Sequence, residues 1–432
     1  MPAERLYYAD SALTEFTATV TDIREHSRTD GASLWQVALD RSSFYPTSGG
    51  QPHDIGTLSA TAPSGARLEA PIVDVEEDEH GELWHLTSKP LLAGTQIEGR
   101  IDWARRLDHM QQHSGQHLLS ALFYQELRAL TVSFHLGDTI STIDLNAESI
   151  EPAQLAHIEK LANQIVAEAR PVTVRVVSEE DADLLLQAGT LRKLPVRSGD
   201  IRIIVISGEG APAPDLDINA CGGTHVSSTS QIGAVLIRGT ERIRQSTRVS
   251  FLCGNRAISA ARADDTLLNH LGREFSVGRS DLSAALARIK ADSKASGKER
   301  QALREELANY HAARLIVEDP PQKDLRIVRR IFADRDAEYI KLLASRVISA
   351  APHTIALLAS TQQQQSPATV VMGCSQELGR NAGELLRAAL AHSGGRGGGS
   401  ATLAQGLVSR DQLDTTLDGL ETLLRAGTVT AG

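Results

Sequence analysis

Cysteine is scarce in this chain: Cys221, Cys253 and Cys374 are the only three in 432 residues, an odd number spread too widely for a disulfide framework. A reducing, cytoplasmic setting is therefore expected. Long apolar runs are absent too. Nowhere do about 18 apolar residues stand together, and Met1 to Phe16 has no basic flank leading into an apolar stretch, so neither a membrane span nor a secretory signal is expected. Positive charge is in deficit, with 44 Lys and Arg against 54 Asp and Glu and a formal net charge of −10. That balance argues against non-specific nucleic-acid binding, because phosphate contacts need clustered cations. Basic residues still gather locally, first Arg192, Lys193, Arg197 and Arg202, then Arg238, Arg242, Arg244, Arg248 and Arg256. These stretches fit either phosphate contacts or the solvated faces of strands and loops.

What is present is an ordinary globular composition, 41% hydrophobic and 23% charged. At roughly 100–200 residues per domain it predicts two to four domains. Short alternating segments (Ala18 to Ile23, Leu34 to Leu39, Leu68 to Val73) separated by Gly, Pro, Asp and Ser predict a small β-rich region up to about Asp102. Within it the run Phe44-Tyr45-Pro46-Thr47-Ser48-Gly49-Gly50-Gln51-Pro52 is either a tight hairpin loop or a place where backbone approaches something closely. Periodic apolar residues predict helices over 103–129 and 152–169, and strand-like stretches follow at Val172 to Val177, Ile201 to Ile206 and Ile232 to Ile237. An α+β unit ending near Leu252 is the result. Residues 281–317 read as a charged helical arm or hairpin, interrupted by the polar interval Ser293 to Lys298 with Gly297. After Pro320 and Pro321 a compact α/β unit is expected, with strands near Leu325 to Ile331, Thr354 to Ala359 and Thr369 to Gly373 and helices at 337–349, 382–392 and 411–425. Gly394 to Ser400 is its one biased tract.

The chemistry concentrates in two motifs. His113-Ser-Gly-Gln-His117 lies inside the first strong helix, where imidazoles four residues apart project from one face and can grip one ion. Cys221-Gly-Gly-Thr-His225 supplies a thiolate and an imidazole across a glycine pair that favours a tight turn. Three imidazoles and a thiolate suit Zn²⁺. His109 sits one turn earlier on the same stripe and reads as the exposed helix start. No Glu follows the first histidine, which excludes the metalloprotease pattern that uses that Glu as general base. Four protein ligands would close a site that catalysis needs open, so one of them, His225, is expected to yield to water or substrate.

These residues resemble a family. His113/His117 together with Cys221/His225 in CGGTHV resembles the editing domain shared by alanyl-tRNA synthetases and free-standing alanyl-tRNA editing proteins. FYPTSGGQPHDIG resembles the glycine-rich loop of the free-standing members, and Ser133 to Asp138 follows the metal helix where that family has it. Gly379 to Leu386, then GGRGGGSATLAQG, resembles the C-terminal DHH-associated domain of alanyl-tRNA synthetase, although Ser400 to Leu403 lacks the more basic residues often found there. The segment Arg244 to Val249 likewise departs from the glycine-containing sequence expected after CGGTHV.

The resemblance implies an α+β protein of four parts: a β-barrel-like domain with the glycine-rich loop over 1–102, a zinc-binding editing domain with a metal-bearing helix over 103–254, a helical arm over 255–319 and a small α/β DHH-associated-like domain over 320–432. It implies a trans-acting hydrolase, without an aminoacylation core, that removes serine or glycine from the acceptor end of tRNA(Ala) at a zinc ion held by His113, His117, Cys221 and His225. Thr47 and Gln51 are the implied pocket residues, with Thr47 pairing with the serine hydroxyl, and Arg242, Arg244, Arg380, Arg387 and Arg396 are the implied tRNA contacts. A homodimer through the arm or the C-terminal domain is also expected. Competing readings are a non-catalytic tRNA-binding zinc protein and an editor of seryl-tRNA(Thr). A two-metal phosphoesterase is a third, and it lacks the Asp-His-His cluster and carboxylates such a site needs.

Overall fold

In the computed structural model, residues 2–426 are described except 30–31, 63, 193, 195–198, 209–213 and 363–366. They form two compact units, Met1–His270 and Leu271–Gly432. Among the described residues no helix is long and apolar enough to cross a membrane.

The first unit opens with β1 (Glu4–Arg5), β2 (Glu15–Thr29), β3 (Ala32–Leu39), β4 (Arg41–Ser42), β5 (Gly56–Thr61), β6 (Arg67–Glu77), β7 (Leu83–Thr87) and β8 (Gln96–Ile101). Six of these close a barrel in the order β2-β3-β7-β6-β5-β8, while β1 and β4 pair in parallel outside it. Strand alternation explains the filling: in β8, Ile97, Gly99 and Ile101 turn inward and Gln96, Glu98 and Arg100 outward. Gly99 pairs with Phe16, whose ring occupies the space a side chain at 99 would need, with ring carbons 2.4 Å from the position of a Cβ.

Then comes α1 (Trp103–Leu127), capped by the Asp102 side chain, which accepts from the Arg105 backbone N–H at 3.0 Å. From Gln112 to Phe123 it is buried all round rather than along a stripe, which makes it the central helix of the unit. The chain continues as β9 (Thr131–Leu136), β10 (Ser141–Leu145), α2 (Pro152–Ala167), β11 (Val172–Val177), α3 (Glu179–Gln187), β12 (Ile201–Ile206), β13 (Asp217–Ala220), β14 (Val235–Ile243), β15 (Ser246–Cys253) and α4 (Gly254–Glu274). One sheet runs β14-β15-β10-β9 and a second β11-β12-β13. The expected strand at Ile232 starts three residues later, because Thr229–Ile232 forms a 3-10 turn. Strand β12 is buried on both faces: Ile201, Ile203 and Val205 pack with Ala182 of α3, and Ile204 and Ile206 join the core of α1 and α2. Arg202 has the parity of this second set, a position that matters below.

Barrel and helix are tied by a buried ion pair. Arg106 and Asp54 are both 0% exposed, with Nε 3.1 and 3.0 Å from the two carboxylate oxygens, and Arg106 also donates to the carbonyls of Ser11 and Ser43. Removing one partner leaves the other charge buried and uncompensated. Asp54→Ala is therefore expected to lose about 3–5 kcal/mol, measured as a drop in urea midpoint at unchanged slope; a change under about 1 kcal/mol would refute the pair's role.

In the second unit α5 (Leu282–Glu318) is followed by β16 (Arg326–Phe332), α6 (Ala337–Ala350), β17 (Thr354–Ser360), β18 (Ala368–Cys374), α7 (Ala382–His392), β19 (Arg396–Gly399), β20 (Leu403–Val408) and α8 (Leu413–Ala426). The sheet runs β16-β17-β18-β20-β19. α5 and α6 share one core with it, α7 and α8 another. One expectation is corrected here. The hairpin alternative for 281–317 gives way to one continuous 37-residue helix, since a lone glycine such as Gly297 costs a helix only about 1 kcal/mol and no proline intervenes. The glycine tract is an edge strand: a Cβ on Gly397 would stand 2.6 Å from Leu390 Cδ1 of α7, so only glycine lets helix and strand pack this closely.

Candidate metal site

His113 and His117 project from one face of α1, and the turn after β13 brings Cys221 and His225 to meet them. The four ligand atoms all lie within 4.8 Å of one another. Cys221 Sγ is 3.4 Å from His113 Nε2 and 3.3 Å from His225 Nε2. Each imidazole has its other nitrogen held from behind. His113 Nδ1 is 2.8 Å from Gln51 Oε1, His225 Nδ1 is 3.1 Å from Ser114 Oγ, and His117 Nδ1 is 3.3 Å from Asp217 Oδ2. Orientation of each ring through its remote nitrogen is the arrangement metal-binding histidines use. Asp217 is itself fixed by Asn219 and Arg192. Three nitrogens and one sulfur, converging and individually oriented, fit a tetrahedral Zn²⁺.

The electrostatics agree with the ligand roles. Burial opposes ionisation of Cys221, yet the neighbouring His113 and His225 more than offset it and hold the thiol well below its usual range. Burial, reinforced by His113, pushes His225 down to about 3, which leaves its ring neutral. His117 is pushed down by burial but lifted further by its bonds to Asp217 and Cys221, to about 9. A metal ion would take the place of that shared proton.

The two glycines of the Cys221 turn have different tasks. A Cβ on Gly223 would sit 2.2 Å from His113 Cε1, whereas one on Gly222 would meet nothing nearer than Tyr8 Oη at 3.5 Å. Gly115, inside the helical motif, gives way to Cys253 of β15, whose Sγ is 2.2 Å from the position of its Cβ.

A cavity of about 260 Å³ lies beside the cluster, lined by His113, Cys221, Gly222, Gly223, Ser48 and Gly49, with Arg5, Tyr7, Tyr8, Tyr45 and Arg202 forming much of the remaining wall. The glycine-rich loop thus reaches it. Both readings of that loop hold, because it is a two-residue hairpin, Ser48 and Gln51 exchanging backbone hydrogen bonds across Gly49 (φ 54°) and Gly50 (φ 81°), and Gly50 is pressed against Phe134.

Thirty per cent of residues are identical over 406 positions to alanyl-tRNA editing protein Aarsd1 of Rattus norvegicus, an alignment covering 91% of this chain and 93% of that one. The chain belongs to the alanyl-tRNA editing protein family. The Bos taurus protein of the same name is 32% identical over 313 residues, 70% of this chain and 66% of its own. Alanine–tRNA ligase of Natronomonas pharaonis is 30% identical over 98% of this chain, which spans only 44% of the ligase. The family described as the threonyl and alanyl tRNA synthetase second additional domain matches residues 201–248.

The other residues singled out for this editing-family chain fall in different places. Gln51 is fully buried, bonded to His113, and donates from Nε2 to Thr224 Oγ1 at 2.8 Å. Thr47 is exposed, its hydroxyl 3.0 Å from His53 Nδ1, and it is not part of the cavity wall. Arg242 and Arg244 stand exposed at the tip of the β14–β15 hairpin. Arg380, in the second unit, donates to the Leu424 carbonyl, while Arg387 and Arg396 are exposed. Of the basic stretches, Arg238, Arg248 and Arg256 pair with Asp264, Asp144 and Asp108, and Arg202 is buried. Lys193 and Arg197 lie outside the described residues. His109 corrects the expectation of an exposed helix start. It is 2% exposed, because Arg105 and Arg106 bind the 43–54 loop over this end of α1 and Arg256 of α4 clamps Asp108. Burial, then Arg105 and Arg256, press its pKa down to about 3.

Sequence reasoning misses Ser114 and Asp217, and it places Arg202 only in a basic stretch. Ser114 lies within the His113–His117 motif, and its position beside His113 is the available signal. Nothing in the sequence marks Asp217 as the partner of His117.

Proposed function

We propose that this protein is a trans-acting editor that hydrolyses the ester of a wrong amino acid on tRNA(Ala), seryl-tRNA(Ala) first and glycyl-tRNA(Ala) second. One observation carries the reading: in a chain of this family, a largely buried cluster of three imidazoles and a thiolate borders a cavity of about 260 Å³, just below the usual size of ligand sites. Such a space suits one aminoacyl group or nucleoside end. A bound zinc ion would supply polarisation of the ester carbonyl and acidification of water.

The chain's own residues do the positioning. Gln51, Ser114 and Asp217 keep the three rings aimed, and the Gly222–Gly223 turn lets Cys221 come close without obstructing His113. In this reading the four sequence segments keep separate tasks: the barrel (1–102) presents the glycine-rich loop, 103–254 holds the metal, and the arm (255–319) and C-terminal part (320–432) serve tRNA contact and self-association. Arg242 and Arg244 offer phosphate contacts from the hairpin tip, and Arg380, Arg387 and Arg396 do so from the C-terminal part.

Thr47 takes a loop-shaping role through His53, in place of the serine-reading role. The experiment incubates purified protein with seryl-, glycyl- and alanyl-tRNA(Ala) and follows each ester. Seryl and glycyl esters should disappear and the alanyl ester persist; stoichiometric zinc with no ester lost would leave a non-catalytic zinc protein. Thr47→Val should slow the seryl and glycyl reactions equally, by up to about tenfold for one lost hydrogen bond. A loss confined to serine would restore Thr47 as the reader of its hydroxyl.

A further inference from the structure

Arg202 is 4% exposed and takes part in no ion pair among the described residues. A buried charge without a carboxylate needs its donors occupied. Nε donates to the Tyr8 carbonyl at 3.2 Å, and Nη1 donates to the carbonyls of Cys221 and Gly223 at 2.7 and 2.9 Å. The guanidinium lies over the Tyr8 ring, 5.5 Å from its centroid, and Nη2 is buried with no hydrogen-bond partner. Tyr7 Oη, on another residue of the same cavity wall, is also buried without a partner. Two unpaired donors beside one cavity, next to the Cys221 turn, are what a site looks like when an oxygen-bearing ligand completes it.

We propose that Arg202 touches the substrate, its Nη2 donating to the carbonyl oxygen of the ester and most strongly as that oxygen becomes negative. Tyr7 Oη donates to the same ligand. This inference rests on the deacylase reading above. In the step concerned, a water oxygen bonds to the carbonyl carbon and the carbonyl π pair moves onto oxygen, where Nη2 meets it. The pair then returns as the acyl C–O bond breaks, and the ribose oxygen leaves with the proton the water gave up. The guanidinium is already pinned by three carbonyls, so it need not reorganise as charge develops.

The test compares Arg202→Lys and Tyr7→Phe with the wild-type protein in zinc content, kcat and KM on seryl-tRNA(Ala), and affinity for a hydrolysis-resistant amide analogue of 3′-seryl-adenosine. For Arg202→Lys we expect full zinc, analogue affinity within about threefold, and kcat lower on the order of 10²-fold, the effect of losing a donor to a developing oxyanion. Tyr7→Phe should keep its zinc and lose several-fold in kcat/KM. Activity that falls only in step with zinc would make Arg202 a prop for the Cys221 turn and overturn the proposal. So would wild-type kinetics in both variants. A wild-type protein that spares seryl-tRNA(Ala) refutes the deacylase reading and this inference together, whereas an active wild type matched by Arg202→Lys refutes this inference alone.

Discussion

Gly223→Ala should empty the metal site, while Gly222→Ala, one residue away in the same turn, should leave it full. The new Cβ at 223 would lie 2.2 Å from His113 Cε1, 2.4 Å from Nδ1 and 3.0 Å from Gln51 Oε1. His113 cannot swing aside freely. Its ring is 1% exposed and bonded to Gln51, which is held in turn by Thr224. Either the imidazole or the turn must therefore move, and both carry ligands. The loss should exceed the roughly 10–100-fold that removing a hydrogen-bonded support costs a metal site. Gly222 offers a control of identical chemistry, because its nearest neighbour stands at an ordinary van der Waals distance. Elemental analysis of the two purified variants decides; full metal in Gly223→Ala would mean that the cluster is looser than its packing indicates.

Cys221→Ala should have an effect of similar size by a different route. It removes the sulfur within 3.4 Å of two imidazole nitrogens and, with it, the only negative charge among the four ligands. Asp217→Asn gives a graded comparison, since it leaves all four ligands and weakens the orientation of His117 together with the ion pair to Arg192. The account expects Cys221→Ala to lose zinc and ester hydrolysis together, and Asp217→Asn to weaken zinc binding by about 10–100-fold. Full activity in a zinc-free Cys221→Ala protein would remove the metal from the chemistry.

Much of this site could be read locally. The spacing His113 to His117 works because a helix repeats its faces, and the apolar spacing over 103–129 marks that helix; Cys221 to His225 works because two glycines permit a turn. Meeting of the two halves is a tertiary event, and so are the partners that orient them: Asp217 lies 100 residues from His117 and Ser114 lies 111 from His225. The same limit bears on Thr47 and His109. Thr47 reads as a pocket residue because its loop borders the cavity; in the fold the Gly49–Gly50 turn leaves Gln51 buried against His113 and Thr47 exposed beside His53. His109 reads as exposed because the elements covering it come from residues 43–54 and from α4. In the second unit the glycine tract reads from sequence only as a biased run, and its pairing with β20 follows from the close approach of α7, which no local pattern encodes.

Hydrolysis of seryl-tRNA(Ala) by chelator-stripped protein, followed as zinc is returned in steps, tests the central claim most directly. The four-ligand site predicts that activity is lost on stripping, rises in proportion to added zinc and levels off at one equivalent per chain. Undiminished hydrolysis by the zinc-free protein would contradict it.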